Sequence, residues 1–100
     1  MIEIVESVEE VAGIYFRSVL LQKAGMRIAQ HTHDHDHATY CGAGRARLVV
    51  DGQERGEVQA GHAVEVKAGH RHEFIALEDN TRLTCVHDVR SALSIKEKGL

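Results

Sequence analysis

The chain has 100 residues, enough for one domain with a modest core and too few for two. It is 43% hydrophobic and 27% charged, a composition typical of a folded globular protein and unlike that of a disordered chain. The formal net charge is -3 without a block of like charge, so we expect no nucleic-acid partner. No apolar run approaches the roughly 20 residues that span a bilayer, and the acidic start does not fit a signal peptide. We therefore expect no membrane partner and a cytoplasmic location.

The first part of the chain predicts short strands. Ile2 to Val11 alternates loosely between apolar and acidic residues, which fits an edge strand and a helical turn about equally well. Ile14 to Lys23 is rich in β-branched and aromatic residues and predicts a strand, which the turn Ala24-Gly25 ends. Met26 to Gln30 predicts a second short strand, and an extended pattern resumes at Ala38 to Tyr40.

The second part of the chain alternates between short strands and turns. Asp51-Gly52 is one of the strongest short hairpin signals, so the strands on either side of it should pair. The strands predicted here are Arg45 to Val50, Gln53 to Gln59, His62 to Val66, Arg71 to Leu77 and Arg82 to Val89. Arg90 to Leu100 fits a short strand or a frayed helix. Strands at intervals of about 8 to 12 residues, without a convincing amphipathic helix, predict an all-β antiparallel sandwich or barrel.

Histidine is concentrated in one stretch, His31-Thr-His33-Asp-His35-Asp-His37. Alternate residues of an extended chain point to one face, so several of these imidazoles could converge on one point. Neutral imidazole binds divalent transition metals well, and a usable site needs three or four ligands. A further ligand has to come from elsewhere, and His72 is the best candidate because it shares a strand face with Phe74 and Ala76. An imidazole on such an apolar face needs a partner.

Two motifs give the chain a resemblance to the cupin superfamily. The first cupin motif is G-x5-H-x-H-x3-E-x6-G, and the residues at its spacings are Gly25, His31, His33, His37 and Gly44. Only the glutamate position differs, where the chain has histidine. The second motif is G-x5-P-x-G-x2-H-x3-N, and the residues at its spacings are Gly61, Lys67, Gly69, His72 and Ala76. The resemblance implies a single domain, residues 1–100, folded as a cupin jelly roll (double-stranded β-helix).

The resemblance also implies a metal site. His31, His33 and His72 would be ligands of one divalent transition metal, with His37 in the place of the usual glutamate. Four neutral imidazoles would leave the metal more positive than three imidazoles and a carboxylate, which favours an anionic substrate or a bound hydroxide. Alternatively His37 turns away from the metal. Three histidine ligands would then leave more coordination positions of the metal open for substrate or dioxygen. The sequence does not determine the identity of the metal, which is iron, manganese, nickel, copper or zinc.

Several other residues are candidates for a role around the metal. His87 is either a proton shuttle or a satisfied core histidine. Tyr40 is either a ligand contact or a packing residue. Asp34 and Asp36 are either acceptors for imidazole N–H groups or solvated turn residues.

The remaining histidines and the cysteines are expected to lie outside the metal site. His35 has the parity of the ligands, but a surface or supporting role fits its place in a bend better. His62 and His70 lie next to turn glycines and are expected to be exposed. Cys41 and Cys85 have neither CxxC spacing nor a secreted context, so we expect two reduced thiols.

Fold alone does not fix function, and the resemblance spans enzymes and binding proteins. The first expectation is a metal-dependent, oxygenase-type enzyme acting on a small organic substrate, for which the charge of the metal favours an anion. The alternative is a non-catalytic metal- or small-molecule-binding module. Apolar residues near the two ends of the chain predict a homodimer. They are Ile2, Ile4, Val5, Leu93 and Ile95.

Overall fold

The computed structural model describes residues 5–29 and 36–88, which form two antiparallel sheets. The first sheet contains, in spatial order, β1 (Val5–Val11), β2 (Ile14–Leu21), β9 (Thr81–Asp88), β4 (His37–Ala43) and β7 (Ala63–Val66). The second contains, in spatial order, β3 (Arg27–Ala29), β8 (His72–Ala76), β5 (Arg45–Val50) and β6 (Gln53–Gln59). Within the described ranges, no helix could cross a membrane.

The two sheets enclose one apolar interior. Successive side chains of a strand point to opposite faces of the sheet, and only one face of each sheet is turned towards the interior. Every second residue of β4, β8 and the first part of β9 is therefore buried. Phe74 and Leu21 are the largest side chains that are completely buried. The buried hydrophobic cluster consists of Val19, Leu21, Ile28, Cys41, Ala46, Leu48, Val58, Val66, Phe74, Ala76 and Leu83. The predicted all-β fold is therefore confirmed.

The strand boundaries in the structure differ from the predicted ones by a few residues. Val5–Val11 is an edge strand, which resolves the choice that the sequence left open, and all seven of its residues are exposed. The extended pattern predicted at Ala38 to Tyr40 is part of a longer strand, His37–Ala43. The short strand predicted at Met26 to Gln30 is described over Arg27–Ala29, and Gln30 lies outside the described residues. Arg90 to Leu100 lies outside the described residues.

The predicted hairpin at Asp51-Gly52 is confirmed. Val50 pairs with Gln53, so the loop between β5 and β6 has two residues. Asp51 has φ 51° and Gly52 has φ 81°, and two positive φ values are the requirement of a type I′ turn. The turn matches the twist of the two strands, and it also directs the Asp51 side chain towards the segment before β8.

We expect Gly44→Ala to destabilise the fold strongly. Gly44 joins β4 to β5 with φ 74°, and a Cβ added there would lie 2.8 Å from Cα of Thr81. The left-handed backbone costs a non-glycine residue about 1–2 kcal/mol, and forcing an atom into a packed site adds roughly 1–3 kcal/mol. The expected loss of unfolding free energy is therefore roughly 2–5 kcal/mol, measured by urea denaturation.

Gly13→Ala is the matched control for this substitution. Gly13 has nearly the same φ, 77°, but a Cβ added there would meet nothing within 4 Å. It should cost only the backbone contribution of about 1–2 kcal/mol. Equal losses in the two variants would show that the contact between Gly44 and Thr81 does not constrain the fold.

Candidate metal centre

His72 lies in the interior with one ring nitrogen already engaged. It is 3% exposed and shares the inner face of β8 with Phe74 and Ala76. Its Nδ1 is 2.9 Å from the carbonyl oxygen of His70. A carbonyl oxygen can only accept, so the hydrogen bond places a proton on Nδ1, and in the neutral imidazole Nε2 then carries a lone pair. This is the arrangement in which ligating histidines are usually held, so His72 fits a metal ligand.

His37 enters the same interior from the opposite sheet. It is the first residue of β4, is 9% exposed, and shares its strand face with the buried Thr39 and Cys41. Its Cα partner across the sheet is Val66, which is also buried. This inward placement favours the interpretation that His37 faces the predicted metal site over the interpretation that it turns away.

The other two predicted ligands, His31 and His33, lie outside the described residues, as do His35 and Asp34. Within residues 5–29 and 36–88, no three His, Cys, Asp or Glu side chains are grouped so that they could hold a metal ion. The complete set of four histidines therefore stays a prediction.

Aromatic rings form a row next to His37 on the inner face of the first sheet. Tyr15 of β2 stacks on His87 of β9, with ring centroids 4.6 Å apart and an interplanar angle of 24°. His87 in turn meets His37 edge-on, with centroids 6.3 Å apart. His87 is half-buried, and its Nδ1 is 3.0 Å from the carbonyl oxygen of Asp88. The fold therefore places His87 beside a predicted ligand, together with Tyr15, which the sequence analysis did not identify.

Arg17 adds a positive charge near this row. It lies two residues after Tyr15 on the same face of β2, opposite Cys85 of β9. Its side chain is 35% exposed and forms an ion pair with Glu6 of the edge strand β1. The hydrogen bond and the positive charge of Arg17 lower the pKa of the Glu6 carboxyl, and the same hydrogen bond raises the pKa of Arg17. The sequence analysis did not identify Arg17, because only the strand register places it beside the candidate site.

Tyr40 lies on the opposite face of β4 from His37. Ala38, Tyr40 and Gly42 are the exposed residues of this strand, and Tyr40 is 44% exposed. The strand begins at His37, so strand parity directs every even-numbered residue up to Gly42 outwards. This placement does not support a contact between Tyr40 and a ligand at the site, and the role of Tyr40 stays a prediction.

Asp36 forms polar contacts with the loop that connects β7 to β8. Its Oδ1 accepts a hydrogen bond from the backbone N–H of Ala68 at 2.7 Å, and its Oδ2 is 3.8 Å from Nζ of Lys67. The sequence analysis offered two roles for Asp36, an imidazole acceptor and a solvated turn residue. The structure adds a third, since the carboxylate holds the segment that leads into β8.

The remaining candidates are placed as expected. His62 and His70 are exposed. Cys41 and Cys85 are both buried and both free, in agreement with the prediction of two thiols without a disulfide. Burial raises the pKa of the Cys41 thiol, which keeps it protonated and makes it a packing residue.

Comparison with known proteins gives a family match and many structural likenesses. The family model described as Cupin domain matches residues 17–87. No curated protein matches the chain. A cupin 2 conserved barrel domain protein from Leptotrichia buccalis aligns with a TM-score of 0.74 at 20% identity, over 89% of this chain and 42% of that one.

Two further solved structures that align with this chain are of individually named proteins. KdgF from Halomonas sp. aligns with a TM-score of 0.66 at 20% identity, over 83% of this chain and 76% of that one. A deletion mutant of oxalate decarboxylase from Bacillus subtilis aligns with a TM-score of 0.64 at 24% identity, over 76% of this chain and 21% of that one. At these identities the likeness is one of fold, and the predicted jelly roll is confirmed.

Proposed function

The chain belongs to the cupin family, and we propose that it is a metal-dependent cupin with oxygenase-type activity towards a small organic anion. The observation that carries the proposal is the hydrogen bond from Nδ1 of His72 to the carbonyl oxygen of His70. It fixes the ring of a buried imidazole in the form that leaves Nε2 able to bind a metal. The proposed ligands are His72 and His37, with His31 and His33 added on the strength of the sequence motif.

The chemistry of these donors fits a borderline transition metal. Imidazole nitrogen suits iron, nickel, copper and zinc, whereas calcium and magnesium prefer oxygen ligands. A ligand set of neutral imidazoles leaves the positive charge of the ion uncompensated, so the centre favours an anionic partner. When bound, the metal would supply Lewis-acid or redox chemistry to the substrate.

Removing His72 should abolish metal binding. We expect protein purified without added metal to contain close to one equivalent of a transition metal, and His72→Ala to lose at least nine-tenths of it, as measured by inductively coupled plasma mass spectrometry. His62→Ala is the matched control, because His62 is an exposed histidine of the turn before β7. A His72→Ala variant that folds and keeps full occupancy, or a metal-free wild type, would contradict the assignment.

Arg17 is the proposed contact for the anionic group of the substrate. A guanidinium binds a carboxylate through two charge-assisted hydrogen bonds. On β2, Arg17 lies two residues from Tyr15, which is about 7 Å along a strand, and Tyr15 stacks on His87. A small carboxylate held by Arg17 would therefore lie beside the aromatic row. In this arrangement His87 is the proposed group that moves a proton.

Oxygen uptake tests both the reaction class and the role of Arg17. We expect uptake by the metal-loaded protein with at least one of a panel of small carboxylates, and none with the matching amides. Loss of a charged hydrogen-bond partner costs roughly 1.5–3 kcal/mol, so Arg17→Gln should raise KM about tenfold or more. Arg47→Gln is the control, since Arg47 pairs with Glu54 in the second sheet. Carboxylate binding without oxygen uptake would favour the alternative, a non-catalytic binding module.

The expected homodimer also stays a prediction, and of the apolar residues on which it was based only Val5 is among the described residues, since Ile2, Ile4, Leu93 and Ile95 lie outside them. The edge strand β1 exposes Val5, Val8 and Val11, which are 48%, 54% and 55% exposed. An exposed edge strand with apolar side chains offers unpaired backbone groups that can pair with a second chain. Size-exclusion chromatography with light scattering should give twice the chain mass, and Val8→Lys should shift the population towards the monomer. A monomeric wild type at micromolar concentration would contradict the prediction.

A further inference from the structure

The loop of residues 67–71 determines how His72 enters the interior. It connects β7 to β8, and the carbonyl group of its residue His70 accepts the Nδ1–H of His72 at 2.9 Å. The orientation of the imidazole therefore depends on the position of a loop carbonyl. The chain contains no proline, so no pyrrolidine ring restricts φ in this loop. Its position has to be held by contacts.

Asp51 provides contacts on one side of the loop. Its Oδ1 accepts the backbone N–H of Arg71 at 2.9 Å, and its Oδ2 accepts the Nδ1–H of His70 at 2.7 Å. The backbone N–H of Asp51 also donates to the carbonyl oxygen of Arg71 at 2.8 Å. Asparagine or glycine would serve equally well at the first position of a type I′ turn. The carboxylate therefore does something that the turn itself does not require.

Asp36 provides a contact on the other side of the loop. Its Oδ1 accepts the backbone N–H of Ala68 at 2.7 Å. Asp36 directly precedes His37 in the chain, so this bond ties the loop that carries the His70 carbonyl to the first residues of β4. Asp51 lies in the turn that joins two strands of the second sheet, and Asp36 directly precedes a strand of the first, so the loop is bonded from the ends of strands in both sheets.

We infer that Asp36 and Asp51 are positioning residues that together hold the loop of residues 67–71 and thereby fix the His72 imidazole for metal binding. We call the two side chains the carboxylate clamp. The inference rests on the proposed metal site, which it deepens by adding residues that touch neither metal nor substrate. Both carboxylates are about half exposed, so each contributes little to global stability, and the effect of the clamp is local.

The clamp is tested in two ways, with and without metal. The variants are Asp51→Asn and Asp51→Gly, which keep a residue that suits the type I′ turn, and Asp36→Asn. Asp79→Asn is the matched control, because the Asp79 carboxylate likewise accepts a loop N–H, that of Ala24 at 2.9 Å, and lies 3.7 Å from Nζ of Lys23. Competition titration measures the dissociation constant for Zn²⁺, and NMR of the metal-free protein measures amide exchange and the His72 ring.

Each clamp variant should raise the dissociation constant for Zn²⁺ about tenfold, the lower end of the 10–100-fold range for groups that support ligands. The double variant should show less than the product of the two effects, because both side chains act on one loop. In the metal-free variants, the amide of Arg71 or Ala68 should lose protection and the Nδ1–H signal of His72 should weaken. Asp79→Asn should leave all of these values unchanged.

The metal-free measurements separate the clamp from the proposed function. If the wild type fails to bind Zn²⁺, the metal proposal fails, and the NMR signals of His72 still decide whether the clamp exists. Lost amide protection with an unchanged His72 ring signal would overturn the clamp. Retained amide protection in the variants would overturn it too, and so would a Zn²⁺ dissociation constant equal to that of the wild type.

Discussion

The proposed metal site depends on one constraint, the burial of His72 on an apolar strand face. His72 shares the inner face of β8 with Phe74 and Ala76, and these three residues are at most 3% exposed. A buried imidazole has two nitrogens to satisfy, and leaving a polar group unsatisfied there is costly. The His70 carbonyl satisfies Nδ1. The proposed metal would bind Nε2, and the burial of His72 is why we propose a site between the two sheets.

The strands and the identity of the buried histidine could be predicted from the sequence, because they depend on short-range patterns. Two residues are enough to predict the turn at Asp51-Gly52. Five residues are enough to predict that His72 lies on the buried face of β8, because apolar residues recur at every second position after it. The same alternation could have predicted that Tyr40 lies on the outer face of β4, since an inward His37 places every even-numbered residue up to Gly42 there. The predicted strand began one residue late, at Ala38. His37 was therefore not counted as part of the strand, and its inward direction could not be used to assign the faces of the residues that follow.

The parts of the site that the sequence did not reveal depend on contacts between distant segments. Tyr15 meets His87 only because β2 pairs with β9 in a particular register, and a slip of β2 by one residue would turn Tyr15 to the outer face of the sheet, away from His87. Asp36 and Asp51 bond the same loop from different sheets. Each has an ordinary explanation within its own segment, as a residue before a strand and as a turn residue. Neither segment alone indicates the shared target.

The position of the metal is the most direct test of the central claim. Crystals of the metal-loaded protein would locate the ion by anomalous scattering. We expect an ion about 2.0–2.1 Å from Nε2 of His72, with a ring nitrogen of His37 in the same coordination sphere. An ion bound at Nδ1 of His72 would contradict the proposed site, as would one held only by exposed histidines such as His62 and His70.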